Sequence, residues 1–203
     1  MRILIRLMPL LAAVPLLSAA AGPDRNAQAR AAMQSSFKAH GQAGMERLDQ
    51  DATQALCSRY APGMPPGEDA ARAMAANRAS IRYPADGNFL GDWKRGEAIA
   101  QEGTGKQYSD DPGKPSGGNC YACHRLSGDE VAYGTIGPSL YQFGKNRGRS
   151  EEMLKLTWSM IYDMKAFTLC SAMPRFGSRG ILDEQQIKDV MALLFDPDSP
   201  VNR

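Results

Sequence analysis

The sequence predicts an all-α fold with an additional helical extension at its N-terminal side. Three observations carry this. Apolar residues recur at helical spacing in several segments, no segment shows the alternation of a strand, and aromatic residues make up only 7% of a chain with alanine-rich stretches. Hydrophobic residues at 43% and charged residues at 23% describe an ordinary folded protein, not a disordered or fibrous one.

Residues 1–21 read as a secretory signal peptide. Arg2 and Arg6 are basic, Leu7 to Leu17 is apolar, and Ser18, Ala19, Ala20 and Ala21 offer small-residue cleavage sites. A membrane anchor needs about 18 or more apolar residues, and this run is shorter and broken by Pro9 and Pro15. The chain carries a net charge of +2, all of it on the two leader arginines, so a processed chain is neutral. Neutrality argues against nucleic acid as the main partner. Export to the periplasm implies a compartment where disulfides persist.

Residues 22–90 form the extension. Ala29, Met33 and Phe37 recur at helical spacing, as do Met45, Leu48, Ala52 and Leu56. Pro62, Pro65 and Pro66, with Gly63 and Gly67, interrupt the pattern, and Glu68 to Ser80 resumes it. The result is two or three helices with weak apolar faces, which need something to pack on. Tyr83 to Asn88 has turn composition and marks a boundary.

Residues 91–203 form a second domain. Asp92 to Gln101 reads as a helix with Trp93, Gly96, Ile99 and Ala100 on one side. Glu102 to Asn119 is a loop rich in Gly, Ser, Asp and Pro, and Tyr133 to Tyr141 is irregular. Ser150 can cap a helix whose first turn carries Glu151 and Glu152. Met153, Leu156, Thr157, Met160, Ile161 and Met164 give it an apolar stripe, and it is expected to end near Leu169. In the last helix Asp183 and Gln186 resemble a capping box, and Ile187, Val190, Met191 and Leu194 form the buried face before Asp196-Pro197 stops it.

The chemistry is concentrated in Cys120-Tyr121-Ala122-Cys123-His124. C-x-x-C-H is the spacing of c-type haem attachment. Two thiols three positions apart can each add to one vinyl group of a porphyrin, and the following imidazole then stands under the iron. A thioredoxin-like reading needs a βαβ setting that is missing. A structural zinc site needs more ligands than Cys57, Cys170 and His40 readily supply. For the far side of the iron, Met173 is the candidate: it lies 49 residues after His124, in a loop with Pro174 and Gly177, between two helices. Met153, Met160, Met164 and Met191 sit at helical apolar positions and are assigned to packing. His40, beside Gly41, is the alternative ligand and reads better as a solvated surface histidine. Pro138, in Gly137-Pro138-Ser139-Leu140, is a candidate acceptor for the Nδ1–H of His124.

These parts together resemble a class I cytochrome c. Gly-Asn-Cys-Tyr-Ala-Cys-His at 118–124, Gly-Thr-Ile-Gly-Pro-Ser-Leu-Tyr at 134–141, Met-Pro-Arg-Phe-Gly at 173–177, the helix at 181–194 and Asp-Pro-Asp-Ser-Pro-Val-Asn at 196–202 are similar to the SoxX family. SoxX is the monohaem subunit of the SoxAX complex of bacterial sulfur oxidation. The resemblance covers about 91–203 and implies a class I cytochrome c fold with one covalent haem c. It implies Cys120 and Cys123 as thioether positions, His124 as proximal ligand and Met173 as distal ligand. It further implies a periplasmic heterodimer with SoxA. SoxAX is an L-cysteine S-thiosulfotransferase that oxidatively joins thiosulfate to a cysteine of the SoxYZ carrier. The sulfur chemistry is then expected in SoxA, with electrons leaving through this chain to a soluble cytochrome acceptor. A free-standing electron shuttle is the alternative. The long extension departs from the minimal cytochrome unit.

Cys57 and Cys170 are left over after haem attachment. An even remainder in an oxidising compartment favours a disulfide. A reactive thiol at Cys170 is the competing reading.

Overall fold

A computed structural model of the chain describes residues 24–203. The signal-peptide expectation falls on residues outside that range. Among the described residues there are seven α-helices: α1 (Arg25–Ser36), α2 (Ala52–Tyr60), α3 (Gly67–Ala79), α4 (Trp93–Gln101), α5 (Phe143–Arg147), α6 (Glu151–Tyr162) and α7 (Glu184–Phe195). Three 3-10 turns lie at Met45–Leu48, Cys120–Ala122 and Met164–Ala166. No strand occurs among the described residues, only an isolated bridge between His40 and Ala43.

The chain divides into two units between Phe37 and Lys38. In the first, the Asp24 carboxylate caps α1 by accepting from Asn26 N and Ala27 N, and α1 is exposed along its length. The second runs from Lys38 to Arg203 and holds every other element.

The centre of the second unit is the crossing of α4 and α7. A Cβ on Gly96 would stand 2.1 Å from Asp189 O, so only glycine lets the two backbones come this close. Gly91 N donates to Lys188 O at 2.9 Å beside the crossing. The buried face of α7 (Ile187, Val190, Met191, Leu194) joins Phe89, Ala100, Leu126, Trp158 and Ile161 in one apolar core. Both halves of the capping box between Asp183 and Gln186 are formed at its start. The tail after α7 is anchored by Ser199, Val201 and Asn202, which are buried. Asn202 is 1% exposed; its Nδ2 donates to Leu194 O and Asp196 O and its Oδ1 accepts from Lys145 N.

One ionic contact holds the crossing. Arg95 Nε and Nη2 donate to the two Asp189 carboxylate oxygens at 2.8 and 2.9 Å, and Asp92 N and Gln185 Nε2 donate to Oδ1. Burial pushes the Asp189 carboxyl up, but these donors together hold it below the ordinary carboxylate range. Its folded value is depressed, so its stabilisation is fully present above the unfolded carboxylate range near pH ~4. It is lost as the pH falls through the lower folded value. Asp189→Asn is expected to cost about 2 kcal/mol at pH 7 and to flatten the acid limb of the stability curve, read by denaturant unfolding from pH 7 to pH 2.

Three elements differ from the sequence expectation. The helix expected to reach Leu169 ends at Tyr162. Asp163, 1% exposed, turns the chain there: its carboxylate accepts from Lys165 N at 3.0 Å and Ser178 Oγ at 2.6 Å, giving the backbone a non-helical alternative. Met164 therefore lies in a 3-10 turn, and Leu156 of the expected stripe is 37% exposed. The Met45 to Leu56 pattern is not one helix, because the side chain and backbone of Asp51 form a capping box with Gln54 and start α2 afresh. Helix α5 is too short to show a period. It follows Gln142, which adopts a left-handed conformation (φ 57°), and it places Phe143 edge-on to Phe195 at 5.3 Å.

Candidate functional site

The C-x-x-C-H segment folds as a 3-10 turn that leads into His124. Asn119, at φ 46°, turns the chain into it. Gly118 N donates to Ile99 O at 2.8 Å and Asn119 N to Glu102 O at 2.9 Å, which fastens the turn to the end of α4. Cys123 N and His124 N both donate to Cys120 O, at 3.1 and 2.9 Å. This local geometry sets the two thiols and the imidazole on one short turn. Neither Cys120 nor Cys123 is in a disulfide. Burial pushes the free Cys120 thiol up to about 12, so before any bond is made to it the side chain is a neutral thiol near pH 7. Among the described residues no group of three or more His, Cys, Asp or Glu side chains is placed to hold a metal ion.

The following loop is laid along this turn. Gly134 N donates to Tyr121 O, Gly137 N to Cys123 O and Leu140 N to Arg125 O, each at 2.8 Å. The loop brings Pro138 O to 2.7 Å from His124 Nδ1. A carbonyl can only accept, so Nδ1 carries the proton and the Nε2 lone pair is free for a metal. Gly137 is required at this approach, because a Cβ there would stand 2.1 Å from the His124 ring. Gly137→Ala is expected to displace the ring and destabilise the protein by about 2 kcal/mol, measured by denaturant unfolding of the haem-loaded protein.

Arg125 extends the arrangement. Its guanidinium lies over the rings of Tyr133 and Tyr141, at 5.5 and 5.0 Å from their centroids, and its Nε is buried with no hydrogen-bond partner among the described residues. Sequence reasoning missed this stack, since three residues spread over 125–141 carry no periodic signal.

Met173 is half-buried and packs against the same apolar core as Cys120. Its backbone N–H donates to Ser171 Oγ at 3.1 Å. Met191 is fully buried in the core, and Met153 packs on it while its sulfur accepts from Thr157 Oγ1 at 3.8 Å. His40 is exposed, edge-on to Tyr108 at 5.0 Å, and bridged to Ala43. Cys57 of α2 is bonded to Cys170, S–S 2.02 Å and Cα–Cα 5.6 Å, three residues before Met173.

The donor set is thus two free thiols on one turn, one imidazole with a fixed tautomer, and one half-buried thioether. These residues fit a covalently attached haem, with Nε2 and the thioether sulfur as the groups able to ligate iron. No helix among the described residues is long and apolar enough to cross a membrane.

Residues 94–195 match the family model for cytochrome c. A protein of Aquifex aeolicus (strain VF5) described as an uncharacterized lipoprotein is 41% identical over 157 residues, 76% of this chain and 73% of the relative.

Proposed function

From the premise that this chain belongs to the cytochrome c family and carries covalently attached haem c, we propose that it is the SoxX-like electron-transfer subunit of an exported SoxAX complex. Cys120 and Cys123 are the thioether positions, His124 the proximal ligand and Met173 the distal ligand. When bound, the haem supplies a one-electron couple. The chain's own residues do the rest. Pro138 O holds the His124 ring in the tautomer that presents Nε2. The apolar core around Tyr121, Leu126, Phe176 and Trp158 keeps water from the buried side of the site. A thioether ligand favours the reduced state and raises the potential. With His124 and Met173 both holding the iron, this chain would leave no open coordination site for a sulfur substrate. Thiosulfate coupling to the SoxYZ cysteine then belongs to SoxA, and this chain passes the electrons to a soluble cytochrome.

The observation that carries the finer reading is the Met-Pro-Arg-Phe-Gly segment at 173–177 in the same chain as the 134–141 loop and the 196–202 tail, of which Ser199, Val201 and Asn202 are buried. The description of the Aquifex relative as a lipoprotein supports export. The test is affinity purification of this chain from periplasm, followed by reduction with thiosulfate and SoxYZ. A second c-type cytochrome of SoxA type should co-purify, and haem reduction should require both thiosulfate and the carrier. A protein that purifies alone and is reduced equally well without SoxYZ is a free-standing shuttle.

A further inference from the structure

The segment that carries Met173 has little secondary structure of its own. Between Asp163 and Asp183 only the 3-10 turn Met164–Ala166 is regular. Residues from the extension hold it at several points. Arg78 Nη2, at the end of α3, donates to Ala166 O at 3.0 Å, and its guanidinium lies 5.4 Å from the Phe167 ring centroid. Cys57 is bonded to Cys170. Beyond Met173, Asp51 Oδ2 receives both Arg175 Nη2 and Arg179 Nη2.

Asp51 stands out because its two oxygens do different jobs. Oδ1 accepts from Gln54 N at 2.9 Å and starts α2, the helix that carries Cys57. Oδ2 takes the two arginines. The Arg175 side chain is 9% exposed, two residues from Met173, and its guanidinium is paired with Asp51. The same segment carries a further cation, Lys165, whose Nζ donates to Ser171 O at 2.8 Å. A nearly buried guanidinium that loses its carboxylate does not stay in place, because an unpaired buried charge is strongly unfavourable. It swings toward water and takes its backbone with it.

We propose that Asp51 is a positioning residue for the Met173 thioether: through Arg175 and Arg179 it fixes the chain immediately after the ligand, as the disulfide fixes it immediately before. This rests on Met173 being the distal ligand. The extension is then part of the haem site's support and not only an appendage.

Asp51→Asn separates the two jobs, since asparagine is as good a helix cap as aspartate but carries no charge. In the ferric haem-loaded protein, this variant should bind imidazole on the order of tenfold more tightly than the parent. It should also show a weaker sulfur-to-iron band in the near infrared. Arg175→Gln should give a shift in the same direction, and the double variant should add little to Asp51→Asn, because both break the same Asp51–Arg175 contact. A role in stability alone would lower the melting temperature and leave the imidazole affinity and the band unchanged, which overturns the proposal. If Asp51→Asn does not accumulate, Arg175→Gln carries the same test. Met173→Ala is the control: a band that persists in it shows that Met173 is not the ligand and removes the basis of the proposal. A band lost in Met173→Ala but untouched in the Asp51 and Arg175 variants overturns the role of Asp51 alone.

Discussion

His124→Ala is expected to abolish the low-spin haem spectrum or to stop maturation, the largest single effect in this chain. His124 is the one imidazole on the turn that carries Cys120 and Cys123, and its ring is held by Pro138 O at 2.7 Å. The other histidine, His40, is exposed against Tyr108 in the extension. The parent protein should keep its haem through denaturation, since thioether bonds do not depend on folding. Acid–acetone extraction that removes haem from the parent would sink the thioether assignment. In Cys120→Ser or Cys123→Ser a single remaining thioether should still retain haem, while the double variant should release it.

The second large effect is expected from opening the Cys57–Cys170 bond. It closes a sequence separation of 113 residues. In the chain-entropy model a loop of that size stabilises by about 5 kcal/mol, roughly 10–20 °C in melting temperature for a protein of this size. Helices α2 and α3 bury little of their own: Thr53 is the single buried residue of α2, and α3 has none. A covalent tie therefore contributes much of what keeps them seated. The Cys57→Ser, Cys170→Ser variant should melt in that lower range. It should also bind imidazole more readily at the ferric iron, because the chain three residues before Met173 is released. Quantitative alkylation of both cysteines without reductant, in protein isolated from periplasm, would refute the bridge.

Much of the fold was legible because it is written in local chemistry. Ser150 and Asp183 each cap the helix that follows through a side-chain oxygen. The apolar period of α7 is long enough to read, and each residue it marks is buried, although the helix is buried on all sides from Ile187 to Phe195. The C-x-x-C-H spacing, and the Gly-Pro that follows it, mark chemistry that depends on a few neighbouring atoms. The sequence by itself therefore determined the all-α class, the extent of the best-capped helices, and the turn on which two thiols and an imidazole sit.

What only the tertiary structure decided are matters of long-range pairing. The end of α6 depends on Ser178 reaching back to Asp163, a contact 15 residues away. The short α5 exists because Asn202 and Phe195, from the other end of the chain, give its backbone and Phe143 something to bind. The Arg125 stack between Tyr133 and Tyr141 and the Asp51 grip on Arg175 have no local signature at all. Periodicity and spacing record which face a residue presents and which neighbours share its turn. They do not record which distant charge meets a buried guanidinium, and that pairing is set only when the chain closes around its core and brings 51 to 175.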